Sequence, residues 1–177
     1  MIFRNTQNHF GMITILLHWL MAILLIGLLA LGVYMVDLPI SLQKLKMYGW
    51  HKEYGLLALA LAMVRIVWRW VNLTPQLSLP LLEKLAARSV HYAFYFFMFA
   101  MPITGWLLTS AAGLPASFFG LFVLPSLISP SDEWLLLFQA IHKWVGYGLI
   151  ATIILHASAA LKHHFINKDD ILKRMIS

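Results

Sequence analysis

The sequence predicts an all-α integral membrane protein, a bundle of four transmembrane helices. Two observations support this fold class: 61% of the 177 residues are hydrophobic, and only 11% are charged. A soluble domain normally carries about a quarter charged residues, so most of this surface does not face water. The apolar residues fall into four stretches, each near the ~20 residues that a spanning helix needs. These stretches fill the chain almost completely, so residues 1–177 are expected to form one domain.

Charged residues, prolines and polar connections separate the apolar stretches. The predicted spans cover 11–36, 50–71, 89–112 and 135–161. Pro102 lies inside the third span and predicts a kink there. The connection 113–130 is apolar but broken by prolines and a glycine, which favours an interfacial outer loop over a fifth span. Residues 162–177 are expected to form a cytoplasmic tail.

Lysines and arginines predict the orientation of the spans. Nine of them flank the ends that include both termini, and four flank the opposite ends. The positive-inside rule therefore puts both termini in the cytoplasm. Because the basic residues form no single patch, the net charge of +6 is not taken as a sign of nucleic-acid binding. The four basic residues on the outer side are Lys44, Lys46, Lys52 and Lys143.

The absence of cysteine restricts the chemistry of the chain. It excludes disulfides, iron–sulfur clusters and the C-x-x-C-H attachment of c-type haem. Any haem must therefore be held by non-covalent contacts and axial ligands. No cleavable signal peptide is expected, because the first span is too long for the hydrophobic region of one.

Histidines inside the spans are the candidate functional residues. An ionisable group in lipid is costly, so it normally faces the bundle interior and serves a function. His142 and His156 lie fourteen residues apart in the fourth span. That spacing puts them within about 40° of each other on one helix face and about 21 Å apart along the axis. This is the geometry needed to hold two haems across a bilayer.

Each haem needs a second ligand at the same depth. His18 matches the depth of His156 near the inner surface, and His51 matches His142 near the outer surface. We therefore predict an inner haem on His18 and His156 and an outer haem on His51 and His142. Two imidazole ligands leave iron with no open position, which suits electron transfer rather than oxygen binding. Zinc is disfavoured because it prefers a clustered tetrahedral set of ligands.

An internal repeat follows both outer histidines. The second and fourth spans open with the pattern H-K-x-x-G, in which the glycine lies one turn below the histidine. A bulkier residue there would press on a porphyrin. The lysines could reach haem propionates or extend to the membrane surface. Arg65 follows His51 by fourteen residues and is expected near the inner haem, where a propionate would neutralise it; extension to the inner surface is the alternative.

Two further histidines leave alternatives open. His91 lies at a depth near the inner haem, where it could bind a propionate, line a quinone pocket or form an ordinary hydrogen bond between helices. His163 follows His156 by seven residues and continues the same face toward the inner surface. With His164, Lys168 and Arg174 it could form the polar rim of a cytoplasmic-side site. A basic tail attracted to anionic lipid is the simpler alternative.

At these residues the sequence resembles the bacterial cytochrome b561 family, small di-haem proteins of the inner membrane. The similar segments are LLHWLMA, HKEYG with RIVWRW, HYAFYFFMFAMPITGWLLTS, and HKWVGYGLIATIILHASAALKHHFINKDDILKRM. The resemblance covers nearly the whole chain, and the ligand pattern of the family agrees with the four paired histidines. It implies two haem b groups and a redox role linked to ubiquinone in the bacterial inner membrane.

Three functional hypotheses remain, the first two of them in line with the resemblance. The first is a quinone-linked oxidoreductase similar to superoxide:ubiquinone oxidoreductases, with superoxide attracted by the outer lysines. The second is a cytochrome b subunit that relays electrons between a periplasmic dehydrogenase or hydrogenase and quinone, with that partner protein on the outer side. The third is a membrane protein without haem, such as a metal-ion carrier or an assembly factor. Catalytic residues are not identified by the sequence; the expected partners are membrane lipid and quinone.

Overall fold

Four long helices dominate the computed structural model, which describes residues 3–75 and 79–176. Each of them is long and apolar enough to cross a membrane. The predicted fold class, a membrane bundle of four helices, is confirmed. The helices are α1 (Met12–Val36), α2 (Leu42–Val71), α3 (Leu81–Ala111) and α4 (Asp132–Lys162).

The helices extend beyond the apolar stretches of the sequence. The second begins at Leu42, where the predicted span begins at 50, and the third begins at Leu81 rather than 89. The side chain of Ser41 accepts a hydrogen bond from the backbone of Lys44 and so caps α2. Hydropathy falls where charged residues begin, but backbone hydrogen bonding continues to the cap. The first and last turns of the helices therefore project beyond the apolar core of the spans.

Successive helices pack on one another, α1 on α2, α2 on α3 and α3 on α4. Small residues allow close approach, as is typical of membrane helices. Ala58 and Ala62 of α2 are buried in the core. A Cβ at Gly148 of α4 would lie 2.6 Å from the ring of Phe97, so only glycine allows α3 and α4 to pack as they do.

An apolar cavity of about 820 Å³ lies between the first and last helices. Its lining comes from the outer half of α1, including Val33 and Tyr34, and from Ile150, Ile153 and Ile154 of α4. Apolar side chains on the outside of the bundle, such as Ile23 and Leu155, remain exposed and are suited to contact with lipid.

The connection between α3 and α4 contains a small antiparallel hairpin that the sequence did not predict. Its strands are β1 (Ala116–Phe118) and β2 (Phe122–Leu124). Gly120 has a φ of 71° in the turn, a conformation that favours glycine. Trp106 donates to the carbonyl of Pro125 (3.0 Å), and Lys52 donates to that of Pro115 (3.3 Å), so the segment is tied to α3 and α2.

At the other end of the bundle the chain folds back after α4. A π-helical turn, His163–Asn167, is followed by Lys168 in the left-handed conformation and by a 3₁₀ turn, Lys173–Met175. The indole N–H of Trp19 in α1 donates to the carbonyl of Met175 (2.7 Å). The C-terminal segment therefore packs against the end of the bundle that carries the first turns of α1.

Candidate functional site

The structure brings the predicted histidine pairs together at two levels, called inner and outer after the predicted orientation. The ring centres of His51 and His142 lie 6.1 Å apart at the outer level. Those of His18 and His156 also lie 6.1 Å apart at the inner level. Each pair joins rings from two different helices, so the tertiary fold is what creates it.

The inner level contains a third imidazole. The ring centre of His91 lies 6.0 Å from that of His156, so His156 stands between His18 and His91. The sequence paired His18 with His156 because their depths match. By distance alone, either His18 or His91 could be the partner of His156. The Nη2 atom of Arg65 lies 3.5 Å from Nδ1 of His18. The inner level is therefore a cluster of three imidazoles and one guanidinium.

One spacing relates the two levels in every helix. Each helix carries one residue at the inner level and one at the outer level, separated by fourteen residues and thus by about 21 Å along the axis. The pairs are His18 and Gly32, His51 and Arg65, His91 and Gly105, and His142 and His156. Sequence reasoning found the spacing in α2 and α4 but missed the glycines of α1 and α3. These glycines could have been found from the sequence, because each lies fourteen residues from a histidine inside an apolar span.

These two glycines hold the outer rings. A Cβ at Gly32 would lie 3.2 Å from Cε1 of His51, and one at Gly105 would lie 3.2 Å from Cε1 of His142. Each outer imidazole therefore packs against the backbone of a neighbouring helix. The repeat glycines behave differently: among the described residues, a Cβ at Gly55 would meet no neighbouring atom within 4 Å and one at Gly146 would meet only Met101. Their expected role beside a porphyrin stays a prediction.

The facing rings fit a metal held between two imidazoles. A bond between a metal and an imidazole nitrogen is about 2 Å long, and the ring centre lies about 1 Å further, so two opposed rings have centres about 6 Å apart. The observed 6.1 Å agrees with this. In the described ranges, no group of three or more His, Cys, Asp or Glu residues could hold a metal ion by itself. Opposed pairs suit an iron whose other four ligands come from a macrocycle.

The outer rings differ in their hydrogen bonds. Nδ1 of His142 lies 3.0 Å from the hydroxyl of Thr104. Nδ1 of His51 is buried and has no hydrogen-bond partner in the described part of the chain.

His163 belongs to the C-terminal segment rather than to the ring clusters. It is buried, and its Nδ1 lies 2.5 Å from the carboxylate of Asp169. The pKa of the Asp169 carboxyl lies below its ordinary value: partial burial acts to raise it, but hydrogen bonds from His163 and from the N–H of Ile171 outweigh that effect. Arg174 of the predicted polar rim lines a small cavity with His9.

The outer lysines do not share one role. Lys44 donates to the carbonyls of Val36 (3.0 Å) and Leu38 (2.7 Å), and so closes the end of α1. Lys52 donates to the connection between α3 and α4. Lys46 and Lys143 are exposed, and the ammonium of Lys143 lies 5.9 Å from the ring centre of Tyr147.

A bundle of membrane-spanning helices with facing imidazoles in its interior defines a membrane protein that can hold a redox cofactor. Comparison with known proteins agrees. A family model described as prokaryotic cytochrome b561 matches residues 9–177. The chain is 37% identical over 186 residues to cytochrome b561 homolog 2 of Escherichia coli K12, covering 99% of this chain and 95% of that protein. It is 31% identical over 189 residues to cytochrome b561 homolog 1 of the same strain, covering 96% and 98%.

The chain therefore belongs to the prokaryotic cytochrome b561 family. It is a multi-pass bacterial membrane protein with an electron-transfer role, and its family implies haem b.

Alanine at Gly105 or Gly32 is expected to weaken the outer site. The added Cβ would lie 3.2 Å from an outer imidazole, so the ring must move by a few tenths of an ångström. We expect a loss of about 1–3 kcal/mol in stability and a lower haem content per chain. Thermal unfolding and Soret absorbance measure these two effects.

Gly27→Ala is the matched control in α1, because a Cβ there would meet no atom within 4 Å in the part of the chain that the structure describes. If it lowered haem content as much as Gly32→Ala does, the contact with His51 would not be the cause.

Asp169→Asn is expected to release the C-terminal segment from α4. Because the folded-state pKa is lowered, the wild-type carboxylate contributes at every pH above its ordinary 3.8 and loses this contribution only as the pH falls through the lowered value. The variant should lose it at all pH values. Faster hydrogen exchange at the amide of Asp169, which donates to the carbonyl of His163, reports the release.

Asp170→Asn removes an exposed ion pair with Lys173 and serves as the control. Such pairs contribute little, so this variant should exchange like the wild type. Equal exchange in both variants and the wild type would contradict an anchoring role for Asp169.

Proposed function

We propose that this protein is a di-haem b cytochrome that carries electrons across the membrane between a donor on the outer side and ubiquinone. The observation that carries the proposal is the presence of two facing imidazole pairs on one bundle, fourteen residues apart along α4. In this proposal His51 and His142 hold the outer haem, and His18 and His156 hold the inner one. Both termini lie in the cytoplasm.

The haems supply one-electron redox chemistry, and two imidazole ligands on each leave no position for a substrate on iron. The chain keeps the two sites about 21 Å apart, measured between ligands along α4. The surrounding core residues, including Met21, Leu25 and Leu149, exclude water. An isolated electron carrier between two membrane faces needs these properties.

Arg65 is proposed to neutralise a propionate of the inner haem. Its guanidinium can only donate hydrogen bonds, so its contact with His18 requires Nδ1 of that ring to accept. A neutral imidazole that binds iron through Nε2 carries its proton on Nδ1. If His18 held the haem iron through Nε2, Arg65 would need another acceptor, and a propionate is an anion of the right kind. His91 is proposed to donate to a propionate or to quinone.

By resemblance to superoxide:ubiquinone oxidoreductases, the proposed donor is superoxide. Each superoxide is oxidised to dioxygen and gives up one electron. Two such electrons and two protons convert ubiquinone to ubiquinol. His163, together with the C-terminal segment, is the candidate wall of the quinone site, because it lies at the end of the ligand-bearing face of α4.

Single histidine variants test the pairing. His142→Ala should remove chiefly the outer haem, and His18→Ala and His156→Ala the inner one, leaving about one haem per chain by pyridine haemochrome assay. His91→Ala is the matched control, since its ring lies as close to His156 as that of His18 does. It should keep two haems. If His91→Ala lost a haem and His18→Ala did not, His91 would be the ligand; if wild-type protein showed no Soret band after haem supply, the redox proposal would fail.

Reversal of the exposed outer charges tests superoxide as donor. Lys46→Glu with Lys143→Glu should slow haem reduction by superoxide about tenfold at low salt, because a positive surface attracts an anion. The effect should shrink at high ionic strength. Stopped-flow absorbance measures the rate.

Lys168→Glu reverses one charge on the tail, at the opposite end of the bundle, and should leave the rate unchanged. A double outer variant with wild-type kinetics would contradict steering. If haem were reduced no faster with superoxide than in buffer without it, a partner dehydrogenase or hydrogenase would be favoured as the donor.

A further inference from the structure

The hydroxyl of Thr104 in α3 makes three short contacts. Its Oγ1 lies 2.7 Å from the carbonyl oxygen of Ala100, 2.9 Å from that of Met101 and 3.0 Å from Nδ1 of His142. A threonine hydroxyl has one hydrogen to donate and two lone pairs to accept with. Both carbonyls can only accept, so the hydrogen is directed to them. Oγ1 must then accept a hydrogen bond from the ring, which places the single ring proton of neutral His142 on Nδ1.

This assignment fixes the tautomer of His142. With hydrogen on Nδ1, the lone pair of the neutral imidazole is on Nε2, on the far side of the ring from Thr104. Nε2 is thus the atom available to a metal. The hydrogen bond also fixes the rotation of the ring, which packs beside the backbone of Gly105 so closely that an added Cβ there would lie 3.2 Å from Cε1.

The two outer histidines are matched except for this hydroxyl. Each ring packs on a glycine of the neighbouring helix at the same distance. Each also has a backbone carbonyl nearby, that of Leu28 for His51 and that of Met101 for His142, but the Leu28 carbonyl makes no hydrogen bond to Nδ1 of His51. Only His142 has a side-chain acceptor, whereas Nδ1 of His51 has no hydrogen-bond partner in the described residues.

We propose that Thr104 is the positioning residue of the outer haem: it holds His142 with Nε2 toward the iron and makes that imidazole the more electron-donating of the two outer ligands. The proposal rests on the proposed function, in which His142 is a ligand. An acceptor at Nδ1 raises the basicity of a ligating imidazole. A more basic ligand stabilises ferric over ferrous iron, so Thr104 lowers the reduction potential of the outer haem and favours passage of the electron inward.

Thr104→Val tests this, because valine keeps the branched shape and removes only the acceptor. We expect the equilibrium between ferric and ferrous outer haem to shift threefold to tenfold toward ferrous, which is a rise of about 30–60 mV for one electron. The backbone carbonyl of Met101 remains beside the ring and limits the effect. Potentiometric titration followed by haem absorbance gives the shift, and low-temperature EPR of the ferric protein should show a changed low-spin signal for one haem.

Two further variants make the outcome specific. Thr104→Ser keeps the hydroxyl and should titrate like the wild type. Thr109→Val removes a hydroxyl that donates to the carbonyl of Gly105 in the same helix, with no histidine contact in the described hydrogen bonds, and should leave both potentials unchanged. Repeating the titration in His156→Ala protein, which retains the outer haem alone, assigns the shift to that haem.

An unchanged potential and EPR signal in Thr104→Val protein with two bound haems would overturn this proposal and leave the di-haem function intact. Equal shifts in Thr104→Val and Thr109→Val would also overturn it, since the cause would be helix packing. Loss of the haem from Thr104→Val but not from Thr104→Ser would support it. Wild-type protein without haem would instead defeat the proposed function itself.

Discussion

Keeping ionisable side chains inside a bundle that faces lipid is the constraint on which the rest of this structure depends. An imidazole or guanidinium exposed to hydrocarbon is costly, so it must face another polar group. In this chain the polar side chains are grouped at two levels. The two outer rings form one pair, and the inner rings are clustered with Arg65. A single spacing of fourteen residues in all four helices sets the distance between the levels.

Close backbone approach is what makes the outer pair possible. Gly32 and Gly105 let α1 and α3 lie directly against the two outer rings. In the same way, Gly148 of α4 lets the ring of Phe97 in α3 pack against its backbone. Helix packing in membranes depends on such small residues because lipid supplies no hydrophobic drive between helices. The outer rings are therefore held by backbone, which cannot change rotamer, and one of them also by a hydroxyl. A site built this way keeps its geometry while the charge on a bound cofactor changes, as an electron carrier requires.

The ends of the bundle show how polar groups serve structure and chemistry at once. Lys44 and Lys52 lie on the predicted outer face, but both donate to backbone carbonyls, so their first effect is to fix the end of α1 and the connection after α3. At the opposite end, the carboxylate of Asp169 makes a hydrogen bond with His163, the first residue after α4. Lys46 and Lys143, on the same predicted outer face, are exposed.

Much of this arrangement follows from the sequence alone. Composition gives four membrane helices, and the period of one helix puts His142 and His156 on one face and Arg65 beneath His51. Relations between helices are different, because they depend on how far each helix is rotated about its own axis. In an apolar span, the helix face toward lipid and the face toward a neighbouring helix carry the same kinds of apolar side chain. Hydropathy therefore does not set the rotation of the helix about its axis. Only the tertiary structure decided three features. His91 lies close to His156. Gly32 and Gly105, rather than the repeat glycines, pack against the outer rings, and His142 is hydrogen-bonded to Thr104.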